Sequence, residues 1–213
     1  MKHSFYIFTN GRQSIRYCKM SLDEQSCKID PILVENKKLD EGYNDILDNG
    51  KAKFFVKIDD DFLFHSRAME YIVNSINKNP NYVLYSYLLW DIRKLKILQS
   101  VKAYNRKLLN KYKIRFRADP VGKVDQTFLK DIAKLPNCRY ADSSVVAVHA
   151  QCCKDDISLH NEVWNKKILK YRHIKDPRFP IEQQYRDREQ LVNKCNARGN
   201  TRFNKYLKGK GIR

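Results

Sequence analysis

The chain has 213 residues, 42% hydrophobic and 12% aromatic, which supplies apolar mass for a packed core and argues against a disordered chain. Its 42 basic and 24 acidic residues leave a net charge of +18, which implies an anionic partner (nucleic acid, an acidic membrane surface or a phosphorylated small molecule) without choosing among them. Apolar runs such as "YVLYSYLLW" and "SSVVAVHA" fall short of the ~20 residues that a membrane span needs, and the start lacks a signal-peptide core, so a soluble, cytoplasmic protein with no transmembrane segment is expected.

"SFYIFT" (4 to 9) reads as a buried strand, followed by a turn at "NGR" and a helix with Ile15, Cys18 and Leu22 along one face. "DPILVEN" (30 to 36) and "KFFVKI" (53 to 58) are further strands, each followed by a helical stretch, the second of which ends at Asn79-Pro80. Strands alternating with helices at this spacing predict parallel βαβ units. "NYVLYSYLLW" (81 to 90) is a fourth strand. A basic, aromatic-poor segment then leads to "VGKVDQTFLKDIAKL", whose helix begins near Asp125. "CRYADSSVVAVHAQC" (138 to 152) predicts a short strand, a turn at Asp142-Ser143-Ser144, and a β-branched strand ending at His149. The six cysteines form no C-x-x-C pair, which fits free thiols in a reducing compartment.

Asp59, Asp60 and Asp61 follow the third strand, at the carboxyl end where ligands bind in open α/β sheets. Apolar residues on both sides would bury their flanks, and three adjacent carboxylates in such a place call for a divalent cation. Alternation along an extended chain predicts Asp59 and Asp61 on one side and Asp60 on the other. His149, also at a strand end, is either a satisfied core residue or, together with Asp61, a ligand of Mn2+ or Mg2+ with open positions for phosphate oxygens. With only seven glycines and neither a P-loop nor a G-x-G-x-x-G, phosphate must be held by the metal and by cations such as Lys57 and Lys154. Trp90 could stack on an acceptor sugar or pack in the core.

The ordered set "TNGR", "VEN", "GYNDIL", "FFVKIDDDFLF", "KVDQTFLKDI" and "CRYADSSVVAVHAQ", over residues 4 to 155, resembles the GT-A-fold glycosyltransferases, especially the inverting family-2-like enzymes. The resemblance implies a mixed, mostly parallel central sheet flanked by helices. It places Thr9, Asn10 and Arg12 near the uridine of a UDP-sugar donor, Asp59 and Asp60 toward the ribose, and Asp61 and His149 on the metal. It also makes Asp125 the base that deprotonates a glycan or protein-linked acceptor, although this chain has Val124 where the family often has Glu. From the sequence alone Asp125 is equally well a helix N-cap, which leaves the stereochemistry open. In general character the chain is also similar to glycosyltransferase domains of chlorella viruses, which glycosylate their own capsid proteins; that likeness would put the protein in the host cytoplasm.

The expected organisation is a catalytic domain over residues 1 to 175 and a basic extension over 176 to 213. The segment 152 to 164 is expected to close over the donor. Two rival readings remain: a metal-dependent nucleotidyltransferase and a basic nucleic-acid-binding module. The parallel start argues against a polymerase palm, and the lack of a basic-aromatic binding motif argues against a nucleic-acid partner.

Overall fold

The structure is a computed structural model that describes residues 2–12, 14–91 and 96–149. In chain order its elements are β1 (His3–Thr9), α1 (Ile15–Asp23), β2 (Ile32–Glu35), α2 (Leu39–Asn49), β3 (Phe54–Asp59), β4 (Phe62–Phe64), α3 (Ala68–Lys78), β5 (Leu84–Asp91), β6 (Lys96–Asn105), α4 (Arg106–Lys111), α5 (Val124–Ile132) and β7 (Arg139–His149). The expected boundary between residues 175 and 176 lies outside the described residues.

Seven strands form one mixed sheet in the order β2-β1-β3-β6-β5-β7-β4. β2 and β3 flank β1 in parallel, as the βαβ spacing predicted, and β5 is parallel to β7. β6 lies antiparallel between β3 and β5, and β4 is antiparallel to β7. β1, β2, β3, β5 and β7 therefore share one direction, and their carboxyl ends gather along one side of the sheet.

Alternation along the strands divides the core in two. Phe5, Ile7, Phe54, Val56 and Ile58 face α1 and α3 through Cys18, Leu22, Met69, Ile72 and Ile76. Tyr6, Phe8, Phe55 and Tyr104 face the opposite way, onto Tyr43 and Leu47 of α2, Leu109 of α4 and Phe128 of α5. On this second side aromatic rings stack, with Tyr43 on Phe116 at 4.1 Å and Phe116 on Phe128 at 4.5 Å between centroids. Helices pack on both faces because the central strands β1 and β3 are apolar on both.

Three details depart from the sequence expectation. The basic segment after β5 contains a whole strand, β6, whose Val101, Ala103 and Tyr104 are fully buried. "FLF" forms β4, an edge strand set off from β3 by a tight turn of Asp60 and Asp61. Residues 139 to 149 form one strand rather than two: Asp142, Ser143 and Ser144 make a bulge, marked by the register step from Ser86↔Ala141 to Leu88↔Val145. The Asp142 carboxylate holds that bulge by accepting from the Ser144 backbone N–H at 2.8 Å and from the Tyr71 hydroxyl at 3.0 Å.

Candidate active site

Strand pairing assembles the acidic cluster and the histidine. The turn at Asp60-Asp61 sends the chain from β3 into β4, where Phe62 lies opposite His149 of β7. That register sets Asp61, the residue before Phe62, beside the imidazole, with His149 Nε2 at 3.3 Å from Asp61 Oδ2. On its other side β7 pairs with β5, and His149 is the register partner of Asp91. His149 Nδ1 lies 2.8 Å from Asp91 Oδ2. Asp91 has no solvent exposure.

The three aspartates do not share one partner, because the chain turns after Asp59 and strict alternation ends there. Asp59 is bonded by Lys57 Nζ, and its backbone oxygen accepts from the Cys18 thiol at 3.6 Å. Asp60 accepts from Thr9 Oγ1 at 2.7 Å and lies 3.8 Å from Arg12 Nη1. Thr9 Oγ1 in turn accepts from the Gly11 backbone N–H at 3.0 Å, which fixes the turn after β1 at a glycine with φ of 73°.

Burial and pairing set the charges. Burial pushes the Asp60 carboxyl above its ordinary range, helped by Asp61 and Asp59 and opposed by Thr9 and Arg12. Burial also works against ionised Asp61, but its hydrogen bond and attraction to His149 prevail and lower it. The same contest at His149 runs the other way: burial disfavours the imidazolium, and Asp61 and Asp91 outweigh it, raising the group to about 9.

A cleft of about 800 Å3 opens over these groups, lined by Thr9, Asn10, Arg12, Asp59, Asp60, Asp61 and His149 together with Phe8, Val34, Leu39, Asn36, Lys37 and Lys38. Phe8, Val34 and Leu39 give it an apolar wall, while Arg12, Lys37 and Lys38 supply positive charge. This mixture suits a flat base and an attached anion. Asn36, which ends the "VEN" stretch, takes φ of 53° and donates its N–H to the Thr9 carbonyl at 3.2 Å.

Of the residues singled out from sequence, Thr9, Asn10, Arg12, Asp59, Asp60, Asp61 and His149 thus meet in one cleft. Lys57 stands behind it, buried and bonded to Asp59. Asp125 is not among the lining residues; it lies in the first turn of α5, where it is bonded to Lys102 Nζ at 2.6 Å. Lys123 is the N-cap residue of α5, so the structure does not give Asp125 the N-cap role. The Trp90 side chain, Lys154 and the segment 152 to 164 lie outside the described residues. Sequence reasoning missed Asp91, Lys102 and the two lysines after β2. Asp91 carried the same signal as the aspartate cluster, a carboxylate ending a buried strand in "LLWD".

Asp61 Oδ2 and His149 Nε2 offer one oxygen and one nitrogen donor, with Asp91 orienting the ring, a set that suits Mn2+ or Mg2+. Among the described residues no group of three or more His, Cys, Asp or Glu side chains is arranged to hold a metal ion. A cation here would depend on ligand oxygens to fill its remaining positions.

No protein-family profile and no curated protein sequence matches the chain. Solved structures match it in fold. The S. aureus TarS fragment 1–349 superposes with a TM-score of 0.58 at 13% identity, over 73% of this chain and 62% of the fragment. The same fragment in complex with UDP-GlcNAc gives 0.56 at 14%, over 70% and 58%. The mannosyltransferase PcManGT from Pyrobaculum calidifontis, in complex with GDP-Man and Mn2+, gives 0.55 at 14%, over 98% and 79%. A CMP:2-keto-3-deoxy-manno-octonic acid synthetase complexed with CTP gives 0.52 at 9%, over 78% and 100%. The architecture is the GT-A α/β fold, as the sequence resemblance implied. The chain spans 62% of the length of the TarS fragment, and a shared fold does not carry a reaction with it.

Proposed function

We propose that the chain is a glycosyltransferase that moves a sugar from a UDP-sugar to a glycan or protein-linked hydroxyl, with inversion at the anomeric carbon. The observation that carries this reading is the meeting, in one cleft, of Thr9, Arg12 and Asp60 with Asp61 and His149. Thr9, Asn10 and Arg12 hold the nucleoside at the end of β1, against the apolar wall of Phe8, Val34 and Leu39. Asp59 and Asp60 receive the ribose hydroxyls, for which the buried Asp60 carboxyl, held in place by Thr9 and Arg12, is a suitable partner. Arg12, Lys37 and Lys38 attract the diphosphate. A divalent ion held by Asp61 and His149 would supply Lewis-acid stabilisation of the leaving diphosphate. Asp125 accepts the proton of the acceptor hydroxyl. The donors bound by TarS and PcManGT support a nucleotide-sugar substrate, and Mn2+ in the latter supports a divalent cofactor. A viral capsid glycan as product rests on the resemblance in character alone.

The second reading, a nucleotidyltransferase, is favoured by one observation: the CTP-bound synthetase shares the fold. Thermal-shift measurements over nucleotide sugars and nucleoside triphosphates, with and without Mn2+, separate the two. Stabilisation by a UDP-sugar that depends on Mn2+ is expected, and Asp61→Ala should remove that dependence. Stabilisation by a triphosphate and by no UDP-sugar would assign the second reading. Binding only to single-stranded nucleic acid, with a steep salt dependence, would reject both.

A further inference from the structure

Two largely covered lysines face each other on neighbouring strands. Lys57 of β3 and Lys102 of β6 are register partners in an antiparallel pair, and their side chains are 11% and 13% exposed. Like charges directly opposite on neighbouring strands destabilise a sheet. Each lysine reaches away from the other to a carboxylate: Lys57 to Asp59 in the cleft, and Lys102 to Asp125 on α5. A row of charges thus runs from the acidic cluster through two strands to the first turn of α5.

Stability does not account for Lys102. On that side of the sheet its register partners are Lys57 and Ser86, and the next positions along β3 and β6, Phe55 and Tyr104, are aromatic, with Tyr104 packed edge-on to Phe128 of α5 at 5.4 Å. Replacing both members of a covered ion pair by apolar side chains is often neutral or stabilising, so stability by itself does not call for the Lys102–Asp125 pair. Burial lowers the Lys102 pKa, against the opposing pull of Asp125. The ion pair is also lopsided, since the Asp125 side chain is 49% exposed while that of Lys102 is nearly covered. Lys102 therefore grips Oδ2 from beneath, and Oδ1 has no protein partner among the described residues.

We infer that Lys102 is a positioning residue for Asp125: it clamps one carboxylate oxygen to the sheet so that the other is aimed at the nucleophile. This rests on the proposed reading of Asp125 as base. In the step served, the acceptor O–H gives its proton to Asp125 Oδ1 and its oxygen bonds the anomeric carbon. The bond from that carbon to the diphosphate oxygen breaks, and UDP leaves with the electron pair. A base free to swing loses alignment, and a displacement of about 1 Å can cost ~10²-fold in rate.

The test uses the full chain, the UDP-sugar that stabilises it in the thermal-shift series, and water as acceptor, with UDP release as the signal. Lys102→Met should lower kcat at least ~10-fold and leave the donor KM within about 2-fold, because the clamp acts on the base and not on the donor. Lys102→Arg, which keeps a cation able to bond Oδ2, should recover most of the rate. The double variant Lys102→Met with Asp125→Asn should be no slower than Asp125→Asn alone, since a clamp with nothing to hold does no work. Multiplying losses in the double variant, or a wild-type kcat in Lys102→Met, overturns the inference and leaves the base assignment standing. A wild-type rate in Asp125→Asn removes the base assignment and this inference with it. If Lys102→Met fails to fold, Lys102→Leu, which likewise cannot bond Oδ2, is read by the same criteria.

Discussion

Asp91 and His149 are joined at the floor of the cleft, carboxylate Oδ2 to imidazole Nδ1 at 2.8 Å, although they stand 58 positions apart in the chain. A carboxylate with no exposure cannot exchange this partner for water, so the ring plane is set and Nε2 is aimed at Asp61. Replacing Asp91 by Asn preserves the shape of the side chain and removes its charge. Asp91→Asn should weaken Mn2+ binding in the presence of UDP by roughly 10- to 100-fold, the usual cost of losing such an outer partner. A Mn2+ titration followed by electron paramagnetic resonance measures it; unchanged affinity would separate Asp91 from the metal site.

The same triad predicts a pH dependence of stability without metal. His149 is raised from 6.5 to about 9 in the folded chain. A group whose folded value is raised binds its proton more tightly when folded, so its contribution is complete below 6.5 and is lost as pH climbs through about 9. Between those limits one bound proton distinguishes the two states, and stability should fall with a slope approaching about 1.4 kcal/mol per pH unit. Asp61, lowered on folding, acts in the acid range, where its contribution disappears as pH falls. Urea unfolding in chelator from pH 6 to 10 should show the alkaline decline in the wild type and a flatter curve in His149→Gln. Parallel curves would mean that the imidazole is not paired as the geometry has it.

The difference between what was and was not legible in the sequence lies in the range of the interactions. βαβ spacing and the aspartates after "FFVKI" are local patterns, and they located β1, β2, β3 and the acidic end of the sheet. β6 escaped notice because Gln99 and Lys102 interrupt its apolar residues, and Lys102 is paired with Asp125, 23 positions away. Asp142-Ser143-Ser144 has the composition of a turn, yet pairing with β5 on both sides holds the chain straight and the surplus residues become a bulge. That Asp61, His149 and Asp91 meet follows from the pairing of β7 with β4 and β5, which no local pattern reports.

Thr9 links the turn after β1 to the acidic cluster by donating a hydrogen bond to Asp60 and accepting one from the Gly11 backbone N–H. Thr9→Val keeps the volume and removes both bonds, leaving a buried carboxylate oxygen without its donor at a cost of roughly 1–3 kcal/mol. The loss should divide between a lower urea midpoint and weaker UDP binding by calorimetry, and Thr9→Ser should restore most of each. A Thr9→Val protein with wild-type UDP affinity would show that this end of β1 does not hold the nucleoside.

Gly42 of α2 offers a test of how closely the helix backs the cleft. A Cβ at this position would stand 2.7 Å from Phe8 Cε1 and 2.9 Å from Val34 Cγ1, both closer than packed carbons allow. Helix propensity alone favours Gly42→Ala by about 1 kcal/mol. Overpacking opposes it, typically by 1–3 kcal/mol, and the Phe8 ring has little room to retreat because it packs on Tyr43 at 5.0 Å. The clash should win, giving a lower Tm where propensity predicts a higher one. Because Phe8 and Val34 both line the cleft, nucleotide affinity should fall with it, and by more than for an exposed substitution of equal thermal cost. A raised Tm with unchanged affinity would place α2 farther from β1 and β2, and the apolar wall assigned to the base would have to be drawn elsewhere.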